Sequence, residues 1–357
     1  MKTWDVIIVG GGVIGLSLAI ELRKRSATVL VIERGEPGRE ASHAAGGMLV
    51  DCGLETPTAL QPLATASARM YPEFAYEVEV ESGMKVDLRD QGTIVLLSPE
   101  DAERYTEFLS ANRLPSPLKE LEPALARIDS SAVFLPLFLE ERSVDPRALS
   151  AAAWEAAKRR GVDFSTGDAV QSIIFSAGAD RALVRARTEY HGKKVVNCAG
   201  AWSGELGPHP FPTRPVKGQM LCLAMPSRTL LKHVIRAPDV YLIPRSDGRL
   251  LVGATVEEAG FDKRTDPDTI QRLHKAAIAL VPQLIEARFL DAWGGLRPGT
   301  PDALPILGET ATPGYYVATG HFRDGILLAP ITAEIMADVI EGKTPEFDLA
   351  PFSPARF

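Results

Sequence analysis

The first 33 residues constrain this chain more than any other stretch. Asp5-Val-Ile-Ile-Val9 runs straight into Gly10-Gly-Gly-Val13-Ile14-Gly15, then into the largely apolar residues 16–22, and then into Val29-Leu-Val-Ile-Glu33. The pattern is a buried strand, a glycine-rich turn, a helix and a second strand ending in an acid. Glu33 follows Gly15 by 18 residues, the spacing by which a βαβ unit binds a dinucleotide. Gly10 permits the tight turn, Gly12 lets the backbone approach a pyrophosphate, and Gly15 lets the helix pack close to the strand. The helix N-terminus presents free N–H groups and a positive dipole end to phosphates. Glu33 is placed to accept hydrogen bonds from ribose hydroxyls. An acid there favours a ribose diol over a 2′-phosphate, whereas Arg34 beside it works the other way. The expected ligand is an adenine dinucleotide, FAD or NAD.

With 357 residues the chain can bury a large core in two domains or lobes. Its 39 basic and 46 acidic residues give a net charge of −7, which offers no footprint for nucleic acid. Cys52, Cys198 and Cys222 are widely spaced, with neither a CxxC nor a metal pattern, and read as thiols in a reducing compartment. The N-terminus enters a strand within a few residues, and no apolar run approaches the roughly 20 residues that span a bilayer. A cytoplasmic enzyme without an integral membrane segment or a metal is expected.

Residues 35–48 are rich in glycine and alanine. Ala44, Ala45 and Met48 are too apolar for a flexible surface loop, so the stretch is expected to pack closely on a cofactor. Helical spacing of Leu60, Leu63, Ala64 and Tyr71 predicts a helix over 57–82, interrupted at Pro72. Strand patterns over 84–97 precede helical segments over 99–125, broken by Pro115 and Pro117. Asp145-Pro146 opens a well-marked helix that Gly161 ends. Strand-like runs follow at 162–164, 169–174, 182–186 and 194–200. The last runs into Ala201-Trp-Ser203 and is either an ordinary βα turn or a strand end facing a ligand, because ligands in open α/β sheets gather there. From Arg214 the chain is rich in strands, with Arg245-Ser-Asp-Gly248 a good hairpin turn. A helix is expected over 267–280. Residues 314–325 read as a strand ending in a glycine-rich turn that opens a helix over 326–341.

Several of these stretches, taken in order, carry a resemblance. They are Ala44-Ala-Gly-Gly-Met-Leu49, Asn197-Cys-Ala-Gly-Ala-Trp-Ser203, Arg214-Pro-Val-Lys-Gly-Gln219, Tyr241-Leu-Ile-Pro244, Gly253-Ala-Thr255, Gly295-Leu-Arg-Pro-Gly-Thr300 and Gly320-His-Phe-Arg-Asp-Gly-Ile-Leu-Leu-Ala-Pro330. Together they resemble the D-amino-acid-oxidase-like FAD oxidoreductases, and within them the glycine oxidases of the thiazole-forming thiamin pathway. The resemblance spans nearly the whole chain and selects FAD over NAD. It implies an α/β fold with a Rossmann-like FAD-binding domain interleaved with a smaller α+β substrate domain built on a mixed or antiparallel sheet. The first would take residues 1–83, 145–213 and 290–357, and the second 84–144 and 214–289.

The resemblance also implies site residues. FAD would be held by Gly10, Gly12, Val13, Ile14, Gly15, Glu33 and Arg34; by Ser42, His43, Ala45, Gly46, Gly47 and Met48; and by Val170, Ala199, Gly200 and Trp202. The last turn would add His321, Phe322, Arg323, Asp324, Gly325 and Ile326, with Arg297 also at the cofactor. Arg297 would hold a substrate carboxylate by a bidentate guanidinium pair, the strongest geometry for that anion. Tyr241 would add a hydroxyl hydrogen bond, and Arg323 would contact the substrate or its entrance. Set between glycines and Pro298, Arg297 is read as buried and not as a surface salt bridge. His321 is read as a structural histidine ahead of a catalytic one. The helix after Gly325 would point its dipole at the flavin and favour hydride uptake at N5.

The implied reaction is oxidative deamination of glycine, sarcosine or a small D-amino acid, with oxygen as electron acceptor, hydrogen peroxide as product and no obligatory protein base. The alternative is a dehydrogenase that passes electrons elsewhere. A homo-oligomer is implied. Two positions depart from the pattern. Val256 stands where glycine oxidases usually carry methionine, which changes pocket size. His43 precedes Ala-Ala-Gly, a context similar to the histidine that bonds flavin covalently in dimethylglycine dehydrogenase relatives, whereas the glycine oxidase pattern leaves that position unbonded.

Overall fold

Two sheets organise the chain, and the space between them forms the site. The computed structural model describes residues 2–51, 56–100, 111–128, 134–175 and 181–357. Cys52 and part of the helical stretch expected over 99–125 lie outside the described residues.

Strands are numbered along the chain, and β3 (Met48–Leu49) and β6 (Arg142–Ser143) pair with each other as a short separate ladder. The first sheet comprises β1 (Thr3–Val9), β2 (Val29–Glu33), β7 (Asp163–Thr166), β8 (Ser172–Phe175), β9 (Ala182–Arg185), β10 (Glu189–Asn197), β16 (Ile306–Glu309) and β17 (Tyr315–Thr319). Its main path runs β16-β17-β10-β1-β2-β7, with β8 and β9 as an antiparallel extension of β10. The pairs from β17 to β7 are parallel. The second sheet comprises β4 (Thr93–Leu97), β5 (Leu135–Leu139), β11 (Arg214–Ala224), β12 (Val234–Arg236), β13 (Tyr241–Pro244), β14 (Arg249–Gly253) and β15 (Arg288–Gly299), in the order β15-β11-β14-β13-β12-β4-β5. It is antiparallel except where β12 runs parallel to β4, so it is the expected mixed sheet. The strand pattern anticipated over 84–97 reduces to Thr93–Leu97. Residues 291–299, placed above with the cofactor domain, pair with β11 in the second sheet.

Helices α1 (Val13–Lys24), α2 (Gln61–Ser82), α3 (Pro146–Arg159) and α5 (Ala329–Glu341) cover one face of the first sheet, and α4 (Pro267–Leu280) covers the second. Both faces of β1 are covered, which explains its uninterrupted apolar run. Val6 and Ile8 face the helices. Ile7 and Val9 face an opposite core with Trp4, Val195 and Tyr315. In the second sheet the alternation sorts Leu221, Leu223, Leu242 and Val252 beneath Leu273 and Ala277 of α4. Met220, Cys222, Ile243 and Leu251 face the other way, toward Met48 and Tyr241.

Local chemistry sets the helix ends. Asp145 caps α3, its carboxylate accepting from Arg147 N at 2.9 Å and Ala148 N at 3.2 Å. Asp266 caps α4 by accepting from Thr269 N at 3.0 Å. Pro72 does not interrupt α2, which runs unbroken from Gln61 to Ser82. Proline frees the carbonyl four residues back, and Arg142 Nη1 donates to that Ala68 oxygen at 3.4 Å. Among the described residues no helix is long and apolar enough to cross a membrane.

Candidate active site

A cavity of about 620 Å³ runs between the two sheets. One end is built on the β1–α1 turn. Gly10 sits at φ +108°, where a side chain is strained, and a Cβ there would strike the Cys198 carbonyl at the end of β10. Gly15 has no room for a Cβ against the Gly10 carbonyl, which sets how closely α1 approaches β1. Gly12, Val13 and Ile14 line the cavity where the helix dipole favours an anion. Ser42 Oγ accepts from Val13 N at 2.9 Å and closes that corner. The Glu33 carboxylate, 8% exposed, is aimed by two backbone amides, accepting from Gly11 N at 2.7 Å and Gly35 N at 2.9 Å.

Beyond Glu33, the Arg34 guanidinium lies 3.4 Å from the Trp202 ring centroid and donates to Glu40 at 2.6 Å. Phe261 stacks on the same indole at 5.2 Å. Val170, Ala199 and Gly200 continue the wall.

The small residues of 44–48 are packed, not flexible. A Cβ on Gly46 would lie 2.7 Å from Ile243 Cδ1, and one on Gly295 would meet Ala44. The fully buried Arg245 (1% exposed) reaches across from the β13–β14 turn, and its Nη2 donates to the Gly46 carbonyl. Ala45, Gly46, Gly47 and Met48 thereby form cavity wall.

The other end of the cavity holds the expected substrate residues together. Arg297 leaves β15 opposite Val216 of β11, and its guanidinium crosses the space that a side chain at Gly218 would fill. Nη1 donates to the main-chain carbonyls of Thr255 at 3.0 Å and Lys217 at 3.4 Å. No carboxylate among the described residues forms an ion pair with it. Tyr241, on β13, projects from the same face as Met220, and both line the cavity. Burial pushes the Tyr241 hydroxyl pKa up, while Arg297 and Arg323 pull the other way, so both cations face it. A cation without a counter-carboxylate beside a tyrosine hydroxyl is suited to bind an anion.

The last turn closes this end. Phe322 holds φ +46°, strained for a residue with a side chain, and its N donates to Pro298 O at 3.1 Å. His321 is 3% exposed, with Nε2 3.1 Å from Thr332 Oγ1. Burial lowers its pKa to about 3, so it is neutral at physiological pH. Burial raises Asp324 to about 6, with Arg323 opposing. Arg323, Asp324, Gly325 and Ile326 line the cavity. The helix that follows starts at Ala329, not at 326, because residues 324–328 form a separate turn closed by Leu328 N donating to Asp324 O at 2.8 Å.

Two expected cofactor residues do not line the cavity. Gly15 acts from behind it, as the helix-packing residue. His43 is turned out of the wall by the helical turn Ala41–Ala44, where Ala41, Ser42 and Ala44 face in. Burial, then Arg147 and Arg39, lower its pKa. Wall residues that the sequence reading missed include Met220 and Ala254 from the second sheet, Asp168, and Arg236. Met220 and Arg236 reach the wall through the pairing of separate strands, which no pattern within one strand marks.

Known proteins similar to the chain place it in a family. The family model described as DAO, FAD dependent oxidoreductase, matches residues 5–339. The chain belongs to this family. The family is that of the FAD-dependent oxidoreductases, and the cavity's glycine-rich end fits that cofactor. The chain is 36% identical over 366 residues to the bifunctional protein ThiO/ThiG of Trichormus variabilis, covering 99% of this chain and 55% of that protein. It thus spans about half the length of these bifunctional relatives. It is 34% identical over 369 residues to the glycine oxidase of Geobacillus kaustophilus, covering 99% of this chain and 97% of that one. The crystal structure of that organism's glycine oxidase superposes over 100% of both chains with a TM-score of 0.92.

Proposed function

We propose that this chain oxidises glycine or a small amine-containing acid such as sarcosine or a small D-amino acid. The observation that carries the reading is Arg297: a guanidinium without an ion-pair partner among the described residues, set beside Tyr241 in the wall of a dinucleotide-sized cavity. The full-length similarity to glycine oxidases supports the same substrate class.

In this proposal Gly10, Gly12, Val13 and Ile14 receive the pyrophosphate, Glu33 the ribose, and Arg34 with Trp202 the adenosine end. Ala45–Met48 and the turn 321–326 hold the flavin end. FAD, when bound, supplies the acceptor for a hydride from the substrate Cα. The chain's own task is orientation. Arg297 and the Tyr241 hydroxyl bind the carboxylate, which fixes the Cα–H bond relative to the cavity. The apolar wall of Met220 and Ala254 favours the neutral amine over the ammonium. Neutral His321, held by Thr332, keeps the last turn in place. For glycine with oxygen as acceptor, glycine, O₂ and water give glyoxylate, ammonia and hydrogen peroxide. A role in thiamin thiazole synthesis accompanies this reading, supported by the similarity to ThiO/ThiG.

The test is anaerobic mixing of the FAD-loaded protein with glycine, sarcosine, D-alanine and D-proline, followed by admission of oxygen. Bleaching of the flavin, then peroxide equal to the flavin reoxidised, is expected with glycine or sarcosine. Bleaching without peroxide would make the chain a dehydrogenase, and no bleaching by any of the four would remove the substrate class.

A further inference from the structure

A further cation, besides Arg297 and Arg323, shares the wall with the carboxylate anchor, and the proposed substrates leave it without a role. Arg236 ends β12 directly opposite Tyr241 in the antiparallel ladder. Directly opposed residues send their side chains to the same face. Val234, two residues earlier, packs on that face with Met220 and Ile243, while Ile235 points into the opposite core. Arg236 therefore emerges beside Tyr241, and both line the cavity.

Its guanidinium is held from behind. Nη1 lies 3.5 Å from Glu141 Oε1, and the Glu141 side chain is 1% exposed. Among the described residues, buried Nη1 makes no hydrogen bond. Burial raises the Glu141 pKa, with Arg236 and Thr93 opposing and Asp51 adding to the rise. The rest of the Arg236 side chain is open toward the cavity, with 22% of its surface exposed. A guanidinium fixed at one nitrogen and presented beside a carboxylate-binding tyrosine is suited to a second anionic oxygen pair.

Building on the reading of Arg297 and Tyr241 as the α-carboxylate anchor, we propose that Arg236 determines specificity for substrates with a second acidic group, so that the preferred class is small amino diacids. Glu141 is a positioning residue that orients Arg236. The second acid can sit on the amine nitrogen or on Cα. Iminodiacetate and D-aspartate distinguish these two placements by which of them bleaches the flavin faster.

The test reads binding through perturbation of the flavin spectrum in the FAD-loaded protein, titrated with acetate, malonate and succinate. One diacid is expected to bind about tenfold more tightly than acetate, the size expected of one added charge-assisted contact. Arg236→Gln should abolish that preference by weakening diacid binding about tenfold more than acetate binding. Because this variant strands buried Glu141, the paired variant Arg236→Gln/Glu141→Gln is measured beside it and should show the same loss. Equal affinities for acetate and both diacids in the wild type, or a preference that survives in the paired variant, overturns the role of Arg236 and leaves the Arg297 anchor standing. Absence of any Arg297-dependent carboxylate binding overturns both.

Discussion

At the scale of single residues, burial decides what each group can do. Arg297 and His321 both sit in the cavity wall, yet only Arg297 keeps a charge available to a ligand. His321 has its pKa lowered to about 3 from the ordinary 6.5 by burial. The unfolded chain therefore binds a proton at His321 from pH 6.5 downward, whereas the native chain does so only near 3. Stability from this group is complete above 6.5 and is lost as pH falls through that window. Between pH 7.5 and 5 the loss is about 2 kcal/mol. His321→Gln keeps a partner for Thr332 and does not titrate. Unfolding of the two holoproteins by urea at both pH values should show the extra acid sensitivity in the wild type alone, and parallel losses would contradict it. Which residues line the cavity was legible where backbone geometry demands a residue type, as at Gly10, or where a rare side chain stands in an apolar setting, as at Arg297. It was not legible at His43, because one residue on a short helical turn faces in or out according to tertiary packing.

At the scale of elements, the helices with strong caps were read closely and the others were not. Asp266 with Pro267 marks the start of α4, and Asp145 with Pro146 marks that of α3. Pro72 misled because its cost is offset by Arg142, a partner 70 residues away. The start of α5 was placed early because an apolar turn precedes it with the same composition. Asp145 links two elements: besides capping α3 it accepts from Arg249 Nη2 at 2.5 Å and faces the buried Arg245. Burial opposes its charge, but Arg245 and Arg249 together hold its carboxyl below the usual range. Asp145→Asn should retain most of the cap. Asp145→Ala removes the cap and also leaves a buried guanidinium uncompensated, for a loss of about 3–5 kcal/mol in urea unfolding. A loss of only about 1 kcal/mol, the worth of the cap alone, would show that Arg245 does not depend on this carboxylate.

At the scale of the whole molecule, two sheets meet at one seam. The parallel sheet brings the glycine-rich turn and Glu33 to it through the carboxyl ends of β1, β2 and β10, and the mixed sheet brings the face of Tyr241 and Met220. Strand β15 belongs to the mixed sheet and packs against Ala44 of the loop after β2, so it carries Arg297 into the seam. The parallel half was legible from the fingerprint because its periodicity is local. Which sheet residues 291–299 join was not, since that depends on pairing with β11, far away in sequence. The account rests on one claim, that Arg297 binds the substrate carboxylate where the cofactor can oxidise it. The measurement that tests it most directly is the rate of anaerobic flavin reduction by glycine across a concentration series, in the wild type and in FAD-loaded Arg297→Ala. The account predicts that the second-order rate constant falls by about 100-fold, about 3 kcal/mol, with FAD retained. Reduction of the variant at the wild-type rate and half-saturation would contradict it.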